Sequence, residues 1–378
     1  MKESTIVTLA QKAAQKFATP FYLYDLNQVR AKAQYFQSTF AQARIFYALK
    51  ANPNLAVLRT IQELGIGAEA VSAGEVLRAY HGGFKPEEVV WNGPAKKLAG
   101  FEPKDLPYLA LDNCQDLART AALKPRARVL LRVNPDLPVA THPSLATGHG
   151  NSQFGFLPEQ IPEALRAVKE AGLELIGLSL HLGSNLEQTS DFHAGYALIR
   201  DLARRYGPFP VIDLGGGFAP RLNLELLAQT AQAAAGDSQI WLEPGRFLVA
   251  EAGVLVTQVM AIKETRRPYL ILDAGMSIFI RPMLYGATHP VVPLYQGGDL
   301  KEFDLAGPGC ESGDILARGV NLPVPQPGDF LAILQTGAYG AAMSSRYLDE
   351  PAPLEIAYLK DFEVTRSRGK PESNWLDN

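Results

Sequence analysis

Ile45-Phe46-Tyr47-Ala48-Leu49-Lys50 is a short apolar run ending on a lysine, and Val211-Ile212-Asp213-Leu214-Gly215-Gly216-Gly217 is another ending on three glycines. Six further β-like runs share that design, at residues 67–72, 89–92, 108–112, 127–134, 175–181 and 240–243. Amphipathic, helix-like stretches lie between them, among them 53–64, 73–81, 158–171, 190–206 and 222–235. Eight strands with seven helical connections is the count of a (β/α)8 barrel, and a doubly wound open sheet is its main competitor. Counting does not separate the two, but the placement of unusual residues favours the barrel. Lys50, Glu69, Asn92, Asn134, His181, the three glycines and Glu243 all fall at or just past a strand's C-terminal end, where a parallel barrel builds its site.

Past Arg246 the texture changes. Residues 254–263, 269–272, 330–335 and 354–359 read as strands between Pro- and Gly-rich turns, so a second, mostly antiparallel β domain is expected, a sandwich or barrel. The early run 21–26 is expected to pair with it. The expected division is 27–250 for the α/β barrel, and 1–26 with 251–378 for the β domain; 378 residues exceed what one core usually supports. The end, 366–378, reads as frayed. A net charge of −3 offers no basic excess for a nucleic-acid backbone or an anionic membrane. Cys114 and Cys310 are too few for a disulfide framework and fit a reducing cytoplasm. Residues 1–10 carry no basic-then-apolar leader pattern, and no apolar stretch approaches membrane-spanning length. No metal-ligand spacing is read. The expectation is a soluble, cytoplasmic protein with neither nucleic acid nor membrane as partner.

A lysine closing an apolar strand faces desolvation, which lowers its pKa, and a neutral amine is what attacks an aldehyde to form a Schiff base. The plain alternative for Lys50 is a lysine reaching out to solvent at the barrel rim. Gly215, Gly216 and Gly217 would let backbone N–H groups approach an anion, or would serve only as a tight turn needing positive φ. In Glu243-Pro244-Gly245-Arg246 the arginine suits a phosphate, and the carboxylate suits a pyridine nitrogen kept protonated as an electron sink. A structural ion pair is the alternative. His181, in His181-Leu182-Gly183-Ser184, could stack on a ring while Ser184 bonds a phosphate oxygen, or could be a packed histidine. Arg281-Pro282-Met283-Leu284-Tyr285, Gly307-Pro308-Gly309-Cys310-Glu311-Ser312-Gly313-Asp314 and Gly337-Ala338-Tyr339-Gly340 are individually no more than a surface arginine, a polar loop and a turn.

Together with Tyr47-Ala48-Leu49-Lys50-Ala51-Asn52, these motifs stand in the order and spacing of the alanine-racemase-fold (fold type III) decarboxylases, which use pyridoxal 5′-phosphate (PLP). The chain resembles that family from about Phe21 to Tyr358. The resemblance implies a PLP-binding barrel with an attached β domain, and an active site shared across a homodimer. It implies that Lys50 carries the cofactor, His181 stacks on its ring and Glu243 pairs with the ring nitrogen. Glu69 and Gly245 belong to the implied cofactor site; Ser184, Gly215, Gly216, Gly217 and Arg246 hold the phosphate, and Tyr339 contacts cofactor or substrate. Arg246, Arg281 and Tyr285 would take the substrate's distal carboxylate and Glu311 its distal ammonium, with Cys310 beside the returning proton. Within the family, Cys310-Glu311-Ser312 and the 281–285 stretch followed by His289 resemble the branch that converts meso-2,6-diaminopimelate to L-lysine and CO2. Four positions depart from that pattern: Glu69 for a common aspartate, Gln153 for a lysine, Asn185 for a glutamine and Leu348 for an asparagine. The rival substrates are carboxynorspermidine, ornithine, arginine and lysine. The rival activities are a racemase of the same fold, against which Cys310-Glu311 argues, and a non-catalytic regulator, against which retention of Lys50, Glu243, Arg246 and Cys310 argues.

Overall fold

Helix α1 (Glu3–Ala14), strand β1 (Phe21–Asp25) and helix α2 (Leu26–Thr39) open the chain. The computed structural model describes residues 3–124, 126–137 and 148–368, so most of the tail expected to fray lies outside the described residues. Two compact units emerge: Ala31–Pro53 with Leu58–Leu248, and Met1–Arg30 with Asn54–Val57 and Val249–Asn378.

The first unit is a closed parallel barrel, so the doubly wound sheet is excluded. Its strands are β2 (Arg44–Ala48), β3 (Gly67–Ala70), β4 (Val89–Trp91), β5 (Tyr108–Leu111), β6 (Arg128–Val133), β7 (Glu174–Leu180), β8 (Val211–Asp213) and β9 (Gln239–Leu242). Closure is by β9 on β2, Arg44 opposite Trp241 and Ile45 opposite Leu242. These strands are buried on both faces, which is why they read as continuous apolar runs rather than alternating ones. Phe46, Val90, Ala110, Leu130, Ile176, Val211 and Trp241 form a core cluster in this unit. Arg44 lies over the rings of Phe46, Tyr108 and Trp241, at 4.9, 5.6 and 5.4 Å. Arg44 and Tyr108 open their strands, so this stacking begins at the end of the barrel away from the strand C-termini that carry the site residues.

Among the described residues six α-helices connect the strands: α3 (Leu55–Gln62), α4 (Ala73–His81), α5 (Cys114–Leu123), α6 (Ile161–Glu170), α7 (Ser190–Tyr206) and α8 (Leu224–Ala235). The seventh connection, β4 to β5, corrects the expectation of a helix: it holds only a 3-10 turn, Pro103–Asp105. Pro94, Gly100, Pro103 and Pro107 punctuate it, and prolines remove the donors that a helix interior needs. Helix α4 starts on Ser72, whose hydroxyl accepts from Glu75 N, and α5 starts on Asn113, whose side chain accepts from Asp116 N.

After α9 (Arg246–Val249), the second unit adds β10 (Gly253–Lys263), β11 (Tyr269–Leu272), α10 (Arg281–Tyr285), β12 (Val291–Pro293), β13 (Leu300–Ala306), β14 (Ile315–Pro323), β15 (Phe330–Leu334), β16 (Leu354–Tyr358) and β17 (Phe362–Arg366). Nine strands join in one mixed sheet, ordered β14-β13-β11-β10-β1-β16-β17, with β15 on β10 and β12 on β15. Most pairings are antiparallel; β1 with β16 and β11 with β13 are parallel. The early strand β1 does pair here, antiparallel to β10 with Leu23 opposite Val254. Residue 366, expected in a frayed end, instead closes β17, and its guanidinium donates to Glu355 at 3.3 Å. Helix α1 covers the sheet with Ile6, Leu9, Ala10, Ala13 and Ala14 against Phe21, Leu23, Val254, Val256, Ala332, Leu334 and Ile356. Each large aliphatic side chain buried there contributes about 1.5–3 kcal/mol.

Candidate active site

Backbone pairing continues past several barrel strands and fixes the residues that follow. Asn92 N donates to Ala70 O (2.8 Å), Glu243 N to Gly215 O (2.8 Å) and Ala48 N to Pro244 O (3.1 Å). Inside this rim lies a cavity of about 300 Å³ lined by Lys50, Glu69, Val71, Asn92, Gly93, Pro94, Arg132, Phe154, Ser179, Leu180, His181, Asp213 and Glu243. Lys50 sits in a single 3-10 turn, Leu49–Ala51, between two buried neighbours. It is no rim lysine in open solvent: its Nζ lies 2.5 Å from Glu69 Oε2, and the Glu69 side chain is wholly excluded from water.

Asn92 Nδ2 donates to Glu69 Oε1 at 3.1 Å and to Glu243 Oε1 at 2.6 Å. Burial first, then the charges of Asp213 and Glu69, push the Glu243 carboxyl well above the usual carboxylate range, while Lys50 and Asn92 oppose that shift. Burial also lifts Asp213, to about 6, against a hydrogen bond from Gly215 N. Both shifts run toward the protonated form. His181 shifts the other way. Desolvation, then Arg132 and Lys50, hold its pKa well below the ordinary value, and the imidazole stays neutral.

For the three glycines the structure shows the turn reading. Gly215 has φ +69°, and a Cβ on Gly216 would stand 2.3 Å from Glu243 O, so the turn itself demands glycine. They are not an open row of three donors, however. Gly215 N donates to Asp213 Oδ1 (2.9 Å) and Gly216 N to His181 Nδ1 (3.2 Å). Arg246 and Glu243 go to different partners: the guanidinium donates to Ser184 Oγ at 3.3 Å, and Glu243 meets Asn92. Gly245 packs against Ala48 and Ala51 beside the lysine turn, where an added Cβ would come within 3.0 and 3.1 Å.

Residues 26–250 match the family model described as pyridoxal-dependent decarboxylase, pyridoxal binding domain. The chain belongs to this family. A diaminopimelate decarboxylase of Deinococcus radiodurans is 45% identical over 97% of each chain, and one of Helicobacter pylori strain J99 is 34% identical over 96% of each. The crystal structure of diaminopimelate decarboxylase from Helicobacter pylori complexed with L-lysine gives a TM-score of 0.91 at 32% identity, covering 96% of this chain and 98% of that one.

The residues present fit the cofactor of a pyridoxal-dependent decarboxylase. A lysine amine, a buried carboxyl shifted toward its protonated form and a neutral imidazole line one cavity of ring size. In the other unit the remaining site candidates form two groups. The Arg281 guanidinium, on a buried residue, lies over the rings of Tyr285 and Tyr339 at 5.6 and 5.7 Å. Cys310 is exposed, and the adjacent Glu311 carboxylate accepts a hydrogen bond from the Tyr347 hydroxyl. Of the divergent positions, Asn185 has φ +62°, a conformation asparagine tolerates, and Gln153 is exposed.

This pyridoxal-dependent decarboxylase also places residues in the cavity that sequence reasoning passed over. Arg132 stacks on Phe154 at 4.6 Å and lies 3.5 Å from Asp112. Behind them Lys96, wholly excluded from solvent, donates to Gly93 O (2.7 Å) and Asp116 Oδ2 (2.8 Å) and so braces the Gly93-Pro94 wall. A charged residue at the end of an apolar strand was the available signal for Arg132. For Lys96 there was none.

Proposed function

We propose that this decarboxylase converts meso-2,6-diaminopimelate to L-lysine and CO2, the last step of a lysine-forming route, as a cytoplasmic homodimer with sites at the subunit interface. The observation that carries the chemistry is Lys50 held at Glu69 in the same cavity as Glu243, whose carboxyl burial shifts toward its protonated form. Near-complete coverage by diaminopimelate decarboxylases supports the substrate. Bound PLP supplies an aldehyde for the substrate amine and a ring that draws off the electron pair released as CO2 departs.

The chain's own residues do the rest. Lys50 offers the amine that holds the cofactor and takes it back after turnover, with Glu69 to receive its proton. Glu243 keeps a proton at the ring nitrogen, and the neutral imidazole of His181 stacks on the ring without adding charge against it. Ser184, Gly217 and Arg246 hold the phosphate; Gly215 and Gly216, whose N–H groups are engaged within the protein, shape that loop. Arg281, Tyr285 and Arg246 take the distal carboxylate, Glu311 the distal ammonium, and Tyr339 the cofactor or substrate. A bidentate arginine–carboxylate pair discriminates well, because a substrate lacking that group leaves a buried charge unmatched. Cys310 and Glu311 come from the partner subunit, and Cys310 stands where a proton returns to Cα.

The test is product analysis of PLP-loaded protein offered meso-diaminopimelate, ornithine, arginine, lysine and carboxynorspermidine. L-Lysine and CO2 from diaminopimelate alone, lost in Lys50→Ala, is the expected result. Turnover of another substrate instead refutes the substrate assignment, and a product of inverted chirality without CO2 refutes decarboxylation.

A further inference from the structure

Asn92 belongs to none of the motifs that carry the family resemblance, yet it stands at the centre of the cavity's polar floor. Its backbone is pinned to β3 through Ala70 O, and its amide nitrogen faces Glu69 at 3.1 Å and Glu243 at 2.6 Å. The carboxylate of Glu69, ion-paired with Lys50, fixes which end of the amide it meets, because only the NH2 end can donate to it. The other oxygen of Glu69 holds Lys50 at 2.5 Å. An unbroken hydrogen-bonded path thus runs from the Lys50 amine through Glu69 and Asn92 to Glu243.

We propose that Asn92 is a positioning residue that couples the charge states of Lys50 and Glu243, and that glutamate at position 69 is what lets its amide span them. The inference rests on the roles given to Lys50 and Glu243 above. The charge inventory makes the amide necessary. Glu69 on β3, Asp213 on β8 and Glu243 after β9 crowd around Lys50, with Glu75 of α4 also within electrostatic range. Arg132 on β6 is the other cation, and His181 is neutral. When Lys50 gives up its charge, Glu69 loses its nearest cation, and the neutral NH2 group still offers one proton to each glutamate without adding charge. An aspartate at position 69 would be shorter by about 1.5 Å, one carbon–carbon bond, and could not keep both contacts at these distances.

The experiment is a pH titration of the visible absorbance of the lysine-bound cofactor, with the cofactor dissociation constant read from the same signal. Wild type, Asn92→Ala, Asn92→Asp, Glu69→Asp and the Asn92→Ala/Glu69→Asp pair are compared, with circular dichroism as the check on folding. Removing the amide leaves more of the Glu69 charge on Lys50, and a carboxylate at position 92 adds to it. The transition should therefore rise in the order wild type, Asn92→Ala, Asn92→Asp, by about one pH unit or more at each step, with cofactor binding about tenfold weaker in Asn92→Ala. Glu69→Asp should shift the transition too, and the pair should fall short of the sum of its members. A space-filling role would move the alanine and aspartate variants alike, and that result, or a wild-type transition in Asn92→Ala, overturns the proposal. If Asn92→Ala does not fold, an unchanged transition in Glu69→Asp overturns it equally. A wild-type protein without the absorbance, or a Lys50→Ala variant that keeps it, overturns instead the reading of the site on which the inference rests.

Discussion

Replacing Lys96 with methionine removes a charge from a place that water does not reach. The side chains of Lys96, Asp112 and Asp116 are all fully excluded from solvent; the amine is 2.8 Å from Asp116 and 3.9 Å from Asp112. Methionine keeps the stem's volume but leaves Asp116 with Arg119, a half-exposed partner at 3.4 Å, and takes the donor from Gly93 O. Breaking one side of a buried ion pair costs about 3–5 kcal/mol. For a unit of this size each kcal/mol lowers the melting temperature by about 2–4 °C, so a fall of about 6–20 °C is expected. Trp91 and Trp241 are buried in the barrel unit, so urea unfolding followed by tryptophan fluorescence in a Trp375→Phe background is the assay. Lys96→Met/Asp116→Leu removes both charges and should recover most of the loss, since an apolar pair of similar volume often serves as well as a buried ion pair. A single variant within about 1 kcal/mol of wild type, or a double variant as unstable as the single, would refute the reasoning.

Three more outcomes follow from particular contacts. The folded-state pKa of Asp213, about 6, lies above its ordinary 3.8, so its contribution to stability is full below 3.8 and is lost as pH rises through about 6; Asp213→Asn should erase that slope in urea titrations at stepped pH. Leu348 has φ +62° on an exposed surface, a conformation that disfavours leucine and suits asparagine, so Leu348→Asn should raise stability by about 1 kcal/mol in thermal melts. Gly216→Ala would put a Cβ 2.3 Å from Glu243 O; a loss of about 1–3 kcal/mol and faster cofactor release on dialysis are expected, and retention of both wild-type values would count against the close approach.

The barrel was legible because its strands are buried on both faces and therefore appear as uninterrupted apolar runs, with polar residues only where they leave the sheet. Lys50, Glu69, Asn92, His181 and Glu243 stood out for that reason, and all five line one cavity. Local chemistry was read less completely. Helix α5 carries a visible start signal in Asn113 and Asp116 but is short, and α1 was passed over although Ile6, Leu9, Ala10 and Ala13 share one face. The β4–β5 connection departs from its helical neighbours because its own prolines remove helix donors. Lys96 was illegible in principle: a lysine beside Lys97 in a Gly–Pro loop looks like surface until Asp116, twenty residues on, folds back over it.

Strand β1 gives the molecule a schedule as well as a shape. Residues 21–25 leave the ribosome long before their partners: the β10 partner of Leu23 is Val254, and Tyr24 bonds Glu355, which lies 331 positions later. At about 5–20 residues per second, the wait for that last contact is roughly 20 s to a minute. Through it Phe21, Tyr22, Leu23 and Tyr24, all buried in the finished sheet, form an apolar segment with both strand edges unpaired. The barrel strands are translated in that interval and can pair among themselves, whereas this sheet is completed only after them. A strand wholly sequestered in the finished second unit is thus, until its partners are made, vulnerable to aggregation.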